Sequence, residues 1–272
     1  MQHEFDFDGA DEQGSEISTV HQFALKPFLA RLLRHSRLSL EEHTAILNLK
    51  GRVARANIHH DIVSSGRAIS HACLIVQGVV GRFDQIADGH RQITALHLPG
   101  DICNLHSVVW PDAWLGLEAL SATTVLLIPI VELRALAAIH PAIALAFWLD
   151  TTVDASICAK WVSKLGRGDA RGRLAHLLCE LGVRMEQAGL ATRTEFPSMI
   201  AQAQIADALG LSIVHVNRTM QSLKRDGLIR KRGHMILVDD WERLSTIAEF
   251  DPHFLLIAVS DETGKSEKVT PR

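Results

Sequence analysis

The sequence predicts an α+β chain with an N-terminal antiparallel β-barrel, one long helix and a C-terminal winged helix-turn-helix. Three observations carry this. Between about residues 52 and 128, short β-rich runs alternate with turn signals. From Pro141 to Gly166, apolar residues recur at helical spacing. From 202 to 238, two helical patterns meet at Gly210-Leu211-Ser212 and lead into a basic hairpin. The 272 residues suit about two domains, and a hydrophobic content of 47% can supply their cores.

Residues 1–21 read as a disordered acidic tail. "MQHEFDFDGADEQGSE" has no Lys or Arg, and none appears before Lys26. It lacks the basic start and apolar centre of a secretory signal. "QFALKPFLARLLRH" (22–35) has helical spacing. "LSLEEHTAIL" (38–47) follows as a short helix, with Ser39 three residues before Glu42 as in a capping box.

The barrel strands come next, within a sensor domain drawn at 22–140. "ACLIVQG" (72–78) ends at Gly78, and "VVGRFDQI" (79–86) leads through Asp88-Gly89 into "RQITALHL" (91–98). An Asp-Gly step between alternating residues signals a hairpin. Pro99-Gly100-Asp101 makes a further turn, and "LGLEALSATTVLLIP" (115–129) supplies the last strands. Strands at this spacing suggest a small antiparallel barrel or sandwich.

"IVELRALAAIH" (130–140) returns to helical spacing, and Pro141 opens the long helix 141–166. Pro suits a first helical turn and Gly an end, so Gly166 is the expected stop. Some 25 residues span roughly 37 Å. One apolar stripe runs through Leu145, Leu149 and Thr152, another through Ile143, Phe147, Val153, Ile157 and Trp161. Two stripes need two partners. The barrel supplies one; the same helix of a second copy, in an isologous homodimer, is the simplest second. The alternative is burial within a larger monomer.

A winged helix-turn-helix is drawn at 167–250, followed by a C-terminal tail at 251–272 that ends in the polar SDETGKSEKVTPR. "DARGRLAHLLCELGVRMEQAG" (169–189) is amphipathic, with Leu174, Leu177, Leu178 and Leu181 inward and Arg171, Arg173 and Arg184 outward. Ile205, Ala206 and Leu209 give the next helix a small inner face. Gly210 sits where the turn needs positive φ. Ser212 caps the second helix, and Val216, Thr219, Met220 and Leu223 form its packed face. Ile213, Val214, Asn217, Arg218 and Gln221 are left outward. "GLIRKRGHMILV" (227–238) reads as a wing with a basic tip at Arg230, Lys231 and Arg232. "DWERLSTIAEF" (240–250) is a closing helix.

Net charge is −3, but it is unevenly spread. Residues 160–232 hold 13 Lys and Arg against 6 Asp and Glu. That asymmetry points to a polyanion as partner of the C-terminal part, and the helix-turn-helix with its basic wing makes that partner double-stranded DNA. The four cysteines, Cys73, Cys103, Cys158 and Cys179, lie far apart in sequence and form no CxxC pair. They read as free thiols of a reducing, cytoplasmic environment. No apolar run reaches the roughly 18–20 residues of a membrane span, so no membrane partner is expected. No nucleophile–base pattern, metal-spaced cluster or phosphate-cradling Gly loop appears, so neither an enzyme nor a resident cofactor or metal is expected.

The order of these parts resembles the Crp/Fnr family of bacterial transcription regulators. The resemblance covers roughly residues 22–250 and rests on "IADALGLSIVHVNRTMQSLKRDGLI", "GRGDARGRLAHLLCEL" and "DGHRQITALHLPGDICNLHS". It implies a homodimer on a two-fold symmetric DNA site, a cyclic-nucleotide-binding-like N-terminal domain and, for an activator, contact with RNA polymerase. Arg218 matches the family's guanine-reading Arg, a contact worth about 1–3 kcal/mol of discrimination. Asn217 occupies a base-contacting position and suits adenine. Val214 departs from the Glu of the best-known members. It cannot accept a hydrogen bond from a base amine and can only touch a thymine methyl. Ser212, His215 and Gln221 complete the helix edge, and Lys231 and Arg232 meet backbone phosphates.

For the barrel, the resemblance implies a phosphate cassette starting at Pro99-Gly100-Asp101. No Lys or Arg lies between Arg91 and Arg134, so cyclic AMP bound in the family's manner is not expected. The closely spaced N-terminal cysteines of an iron–sulfur sensor are absent, because the first cysteine is Cys73. His71, Cys73, His97, Cys103 and His106 are candidate haem ligands by residue type only, and with fifteen histidines in the chain ordinary surface or core histidines are the favoured reading. Asn104 and His106 are the candidate effector contacts. The alternative for the whole chain is a ligand-binding module whose winged helix docks a protein.

Overall fold

The structure, a computed structural model, describes residues 14–87 and 89–256. It opens with α1 (Gly14–Leu33) and α2 (Leu40–Leu47), then β1 (Arg52–Ala56), β2 (Asp61–Val63), β3 (His71–Gln77), β4 (Val80–Gln85) and β5 (Arg91–His97). A 3-10 turn at Leu105–Val108 precedes β6 (Gly116–Ala119) and β7 (Thr123–Pro129). Then come α3 (Ile130–Ile139), α4 (Pro141–Arg167), α5 (Ala170–Gln187), β8 (Glu195–Pro197), α6 (Gln202–Leu209) and α7 (Ile213–Arg225). The chain closes with β9 (Ile229–Arg232), β10 (Met235–Val238), α8 (Trp241–Ala248) and a 3-10 turn at Pro252–Leu255.

The barrel is two antiparallel sheets, ordered β1-β7-β3 and β2-β6-β4-β5. The continuous apolar run of β3 follows from cover on both faces. Ala72 and Leu74 pack outward under α1 and α4, and Cys73 and Ile75 fill the barrel. The β4–β5 hairpin closes at Gln85↔Arg91, with Gly89 at φ 87°; Asp88 lies outside the described residues. The predicted capping box of α2 is present, with Ser39 Oγ accepting from Glu42 N and Glu42 Oε2 from Ser39 N.

The expected tail over 1–21 is corrected. Gly14–His21 belong to α1, and residues 1–13 lie outside the described residues. The polar composition of this stretch suits a helix start anchored by its packed end, where Ala24, Leu25, Phe28, Leu29 and Leu32 are buried. Pro27 sits within α1 against the turn after β5. A Cβ on Gly100 would lie 3.1 Å from that of Pro27, and Gly100 has φ 94°, so the turn needs glycine twice over.

α4 continues past the expected stop at Gly166 to Arg167, and Gly168 N–H donates to Lys164 O at 2.8 Å. Gly166 therefore lies within the helix. Ile143, Ala146 and Phe147 pack with α1 and the barrel, while Val153, Ile157 and Trp161 join the C-terminal core. Leu145, Trp148, Thr152 and Val162 stay exposed, and Leu149 is half-buried. By length and a hydropathy of 1.4, α4 is long and apolar enough to cross a membrane. Its middle argues otherwise: Asp150 and Asp154 are ion-paired to Arg31 and Arg82, which marks a helix packed in protein.

The C-terminal core is continuous with the barrel. Val79, Phe83, Leu96, Leu98 and Leu120 join Leu174, Leu177, Leu178, Ile205 and Leu223 in one cluster. Gln204 Nε2 donates to Leu120 O at 2.9 Å and Gln92 Nε2 to Asp207 O at 2.7 Å. At this junction Arg184 faces inward, contrary to its expected outward position. It is 6% exposed, because the barrel covers the side of α5 that a single stripe of leucines left for solvent. Arg184 donates to Asp101 Oδ2 at 2.9 Å, Glu180 Oε1 at 2.9 Å and Leu96 O at 2.7 Å. Arg31 bridges Asp101 and Asp150, and Trp161 Nε1 donates to Glu180 Oε2 at 2.7 Å. Burial alone would raise the Asp101 carboxyl, but Arg31 and Arg184 outweigh it and hold it below its ordinary value. For Asp150 and Glu180 burial prevails and both carboxyls are raised.

The expected tail 251–272 is corrected at its start. Phe254 and Leu255 are buried, and Phe254 stacks on His176 at 5.6 Å between centroids. Residues 257–272 lie outside the described residues. Cys73 and Cys103, distant in sequence, are neighbours in space, with Cys103 N donating to Cys73 O at 3.0 Å. Both are buried and free, and burial pushes Cys73 up to about 12 and Cys103 upward, as for apolar filler rather than reactive thiols.

Candidate nucleic-acid interface

The site is built on the pair α6 and α7. Gln204 Oε1 accepts from Ala201 N at 2.7 Å and fixes the start of α6. Gly210 ends it in the left-handed conformation, φ 60° and ψ 43°. Leu211 N then returns to Ala206 O at 3.1 Å. Ser212 Oγ accepts from His215 N at 3.2 Å and starts α7. The hydroxyl is thereby committed to the cap.

One face of α7 is buried through Val216, Thr219, Met220 and Leu223. Ser212, Val214, His215, Asn217, Arg218 and Gln221 are all exposed. The structure therefore brings every helix residue singled out in the sequence to one solvent-facing edge. Arg218 has no hydrogen-bond or ion-pair partner among the described residues, in contrast to Arg171, which holds Asp226 and Ser222. An open groove beside α7 runs along Arg171, His215, Arg218, Gln221, Ser222 and Arg225. Sequence reasoning passed over Arg225, although it lies seven residues after Arg218 and so on the same helix face.

The wing is a three-stranded antiparallel sheet, β8-β10-β9, in which β8 was not foreseen. Lys231 pairs opposite Ile236 at the exposed edge and carries no ion pair among the described residues. Arg232 is held by Glu195 at 2.6 Å and Arg230 by Asp239 at 2.7 Å, yet both side chains remain largely exposed.

The two candidate effector residues separate. Asn104 is buried, its Oδ1 accepting from Cys73 N at 2.8 Å and its Nδ2 donating to His71 O at 3.1 Å. It stitches the turn to β3. His106 lines a narrow polar pocket with Arg31, His97, Asp101, Asp150 and Asp154, and its Nε2 accepts from Trp114 Nε1 at 3.3 Å. Burial lowers its pKa, with help from Arg82. The cations that the local sequence lacks arrive from elsewhere: Arg31 from α1 and Arg82 from β4. Each is already neutralised by a carboxylate. Among the described residues no group of three His, Cys, Asp or Glu is placed to hold a metal.

Comparison with known proteins agrees with this geometry. A family model described as a Crp-like helix-turn-helix domain matches residues 172–247. The transcriptional activator protein FnrL of Cereibacter sphaeroides is 30% identical over 196 residues, covering 67% of this chain and 75% of the relative. The nitrogen fixation regulation protein FixK of Azorhizobium caulinodans is 28% identical over 172 residues, covering 62% of this chain and 67% of the relative. The solved structure of FixK2 from Bradyrhizobium japonicum superposes with a TM-score of 0.67 at 28% identity, covering 73% of this chain and 98% of that one. These relatives are transcription regulators and not enzymes. The barrel, the long helix and the helix-turn-helix share one fold with them, and the chain belongs to the Crp/Fnr family of transcription regulators.

Proposed function

We propose that this regulator acts as a homodimer, with α7 of each protomer in the major groove of a two-fold symmetric DNA site. The observation that carries the reading is the exposed edge of α7, where Arg218 stands without a partner beside Asn217 and Val214. Buried helix faces elsewhere pair their arginines, as at Arg31 and Arg184. An uncompensated Arg on a reading edge has the geometry for a bidentate guanine contact. Lys231 and Arg232 at the wing supply phosphate contacts, and Ser212, His215 and Gln221 flank the base-reading residues. The division into sensor part, dimerisation helix 141–166 and DNA-binding part belongs to the same reading, although the parts share a core.

The dimer reading is supported by the second face of α4. Leu145, Leu149, Thr152, Ser156, Ala159 and Ser163 recur at alternating steps of four and three. That spacing forms a coiled-coil seam, and its small residues allow close approach. The barrel is proposed not to bind a cyclic nucleotide in the family's usual manner. The support is the pocket beside His106, where the lining Arg31 is already paired with both Asp101 and Asp150. A cytoplasmic setting and contact with RNA polymerase, for an activator, follow from the same reading.

Selection of bound duplexes from a random pool by the full chain tests it. The expected result is an inverted repeat with half-sites about one helical turn apart and a guanine in each. Recovery of no common sequence would refute it.

A further inference from the structure

The first turn of α7 presents two apolar side chains to solvent where a reading helix ordinarily presents polar ones. Ile213 is 53% exposed and Val214 is 69% exposed. Neither belongs to the core, and neither is covered by a neighbouring element. The polar group beside them, the Ser212 hydroxyl, is occupied in capping His215 N. His215, exposed in the same turn, and the unused O–H of Ser212 remain open to polar contacts on either side, while at position 214 itself only a branched apolar side chain stands free to touch a base.

Val214 lies three and four residues before Asn217 and Arg218, on the same exposed edge. At 1.5 Å per residue it sits about 4.5–6 Å along the helix axis from them. Base pairs stack at about 3.4 Å. A helix with Arg218 on a guanine therefore sets Val214 over a base one or two steps away. In the major groove only thymine offers a methyl group, and no other base edge suits a side chain without hydrogen-bonding atoms.

Resting on the reading of α7 as the recognition helix, the geometry points to Val214, supported by Ile213, as a thymine-reading residue. It selects a thymine within two base pairs of the guanine bound by Arg218, and it does so through the 5-methyl group alone. Polar readout at this position, of a cytosine or adenine amine, is lost. The half-site is thereby moved away from that of family members with a carboxylate here.

The test uses the full chain and the duplex recovered from the random pool. Each thymine of one half-site is replaced in turn by deoxyuridine, which removes only the methyl group. One position near the guanine should weaken binding about four-fold, the effect of one buried methyl-sized group. Val214→Ala should bind the thymine and deoxyuridine duplexes alike, with an unchanged melting temperature because the side chain is exposed. Val214→Glu should no longer prefer thymine there.

A deoxyuridine scan without effect at any position would overturn the inference. If Arg218→Ala still abolished specificity in that case, the reading of α7 would stand and only the role of Val214 would fall. A pool yielding no common sequence would remove both.

Discussion

Replacing Arg184 with Met tests the junction through which the barrel holds the DNA-binding part. Arg184 is 6% exposed and makes hydrogen bonds to Glu180, Asp101 and Leu96 O. Methionine keeps much of the packing and removes the charge. Asp101 retains Arg31 and the backbone N–H of Leu98, but Glu180, fully buried, is left with Trp161 Nε1 alone. Breaking one partner from a buried pair costs about 3–5 kcal/mol. The partial cover at Asp101 places this variant near the lower value. For a chain of this size, about 3 kcal/mol lowers the melting temperature by roughly 6–12 °C. The loss is pH-dependent, with a definite sign. Without Arg184 the Glu180 carboxyl, already raised by burial, rises further, so the folded state holds a proton that the unfolded state releases. The deficit against wild type is therefore largest at neutral and higher pH. It narrows as pH falls towards the ordinary Glu value of about 4.3. Denaturant titrations of both proteins at pH 8 and pH 5 measure it. A deficit below about 1 kcal/mol that does not change with pH would refute the reasoning, because a solvated surface arginine behaves that way.

Three further outcomes follow from the same geometry. Lys231→Ala should weaken binding to all DNA sequences alike and reduce the log–log salt slope by about 1, read from titrations at several salt concentrations; a changed site preference would contradict a phosphate role. His97 and His176 are buried, and burial pulls both down to about 4 from the ordinary 6.5. The stability from keeping them neutral is intact above pH 6.5 and is lost as pH falls toward 4, about 2 kcal/mol each between pH 7 and 5. His176→Phe, set among Phe250 and Phe254, should flatten that slope in denaturant titrations. Leu145→Glu, at a position exposed in the single chain, should leave folding intact and give a monomer in sedimentation.

Local signals made much of this molecule legible. Ser39 and Glu42, Gly89, Gly210 and Ser212 each do in space what their types suggest, because caps and positive-φ turns depend on a few neighbouring atoms. The packed face of α7 was readable for a related reason: 3.6-residue periodicity places Val216, Thr219, Met220 and Leu223 together without knowledge of the partner. Arg184 shows where this stops. Its helix has one obvious leucine stripe, and only the barrel, some 80 residues earlier, supplies Asp101 and Leu96 O to bury its other side. Arg31, which lines the pocket, and Arg82, which pairs with the lining Asp154, repeat the lesson. The stretch from Arg91 to Arg134 looks poor in cations, yet distant elements bring two, each with its carboxylate. Asn104 looked like a pocket residue by position after a turn, but its amide is consumed by the backbone of β3. β8 escaped notice because three residues, Glu195–Pro197, carry no alternation to detect.

The most direct measurement of the central claim compares Arg218→Ala with wild type on the recovered duplex and on a scrambled duplex of equal length. Arg218 is exposed and unpaired, so the variant should fold as the wild type does. Loss of a bidentate guanine contact should cost about 1–3 kcal/mol on the recovered site, roughly 5- to 150-fold in affinity. Weak, salt-sensitive binding to the scrambled duplex should remain nearly unchanged. Equal loss on both duplexes would show that Arg218 meets only the phosphate backbone and would contradict the account.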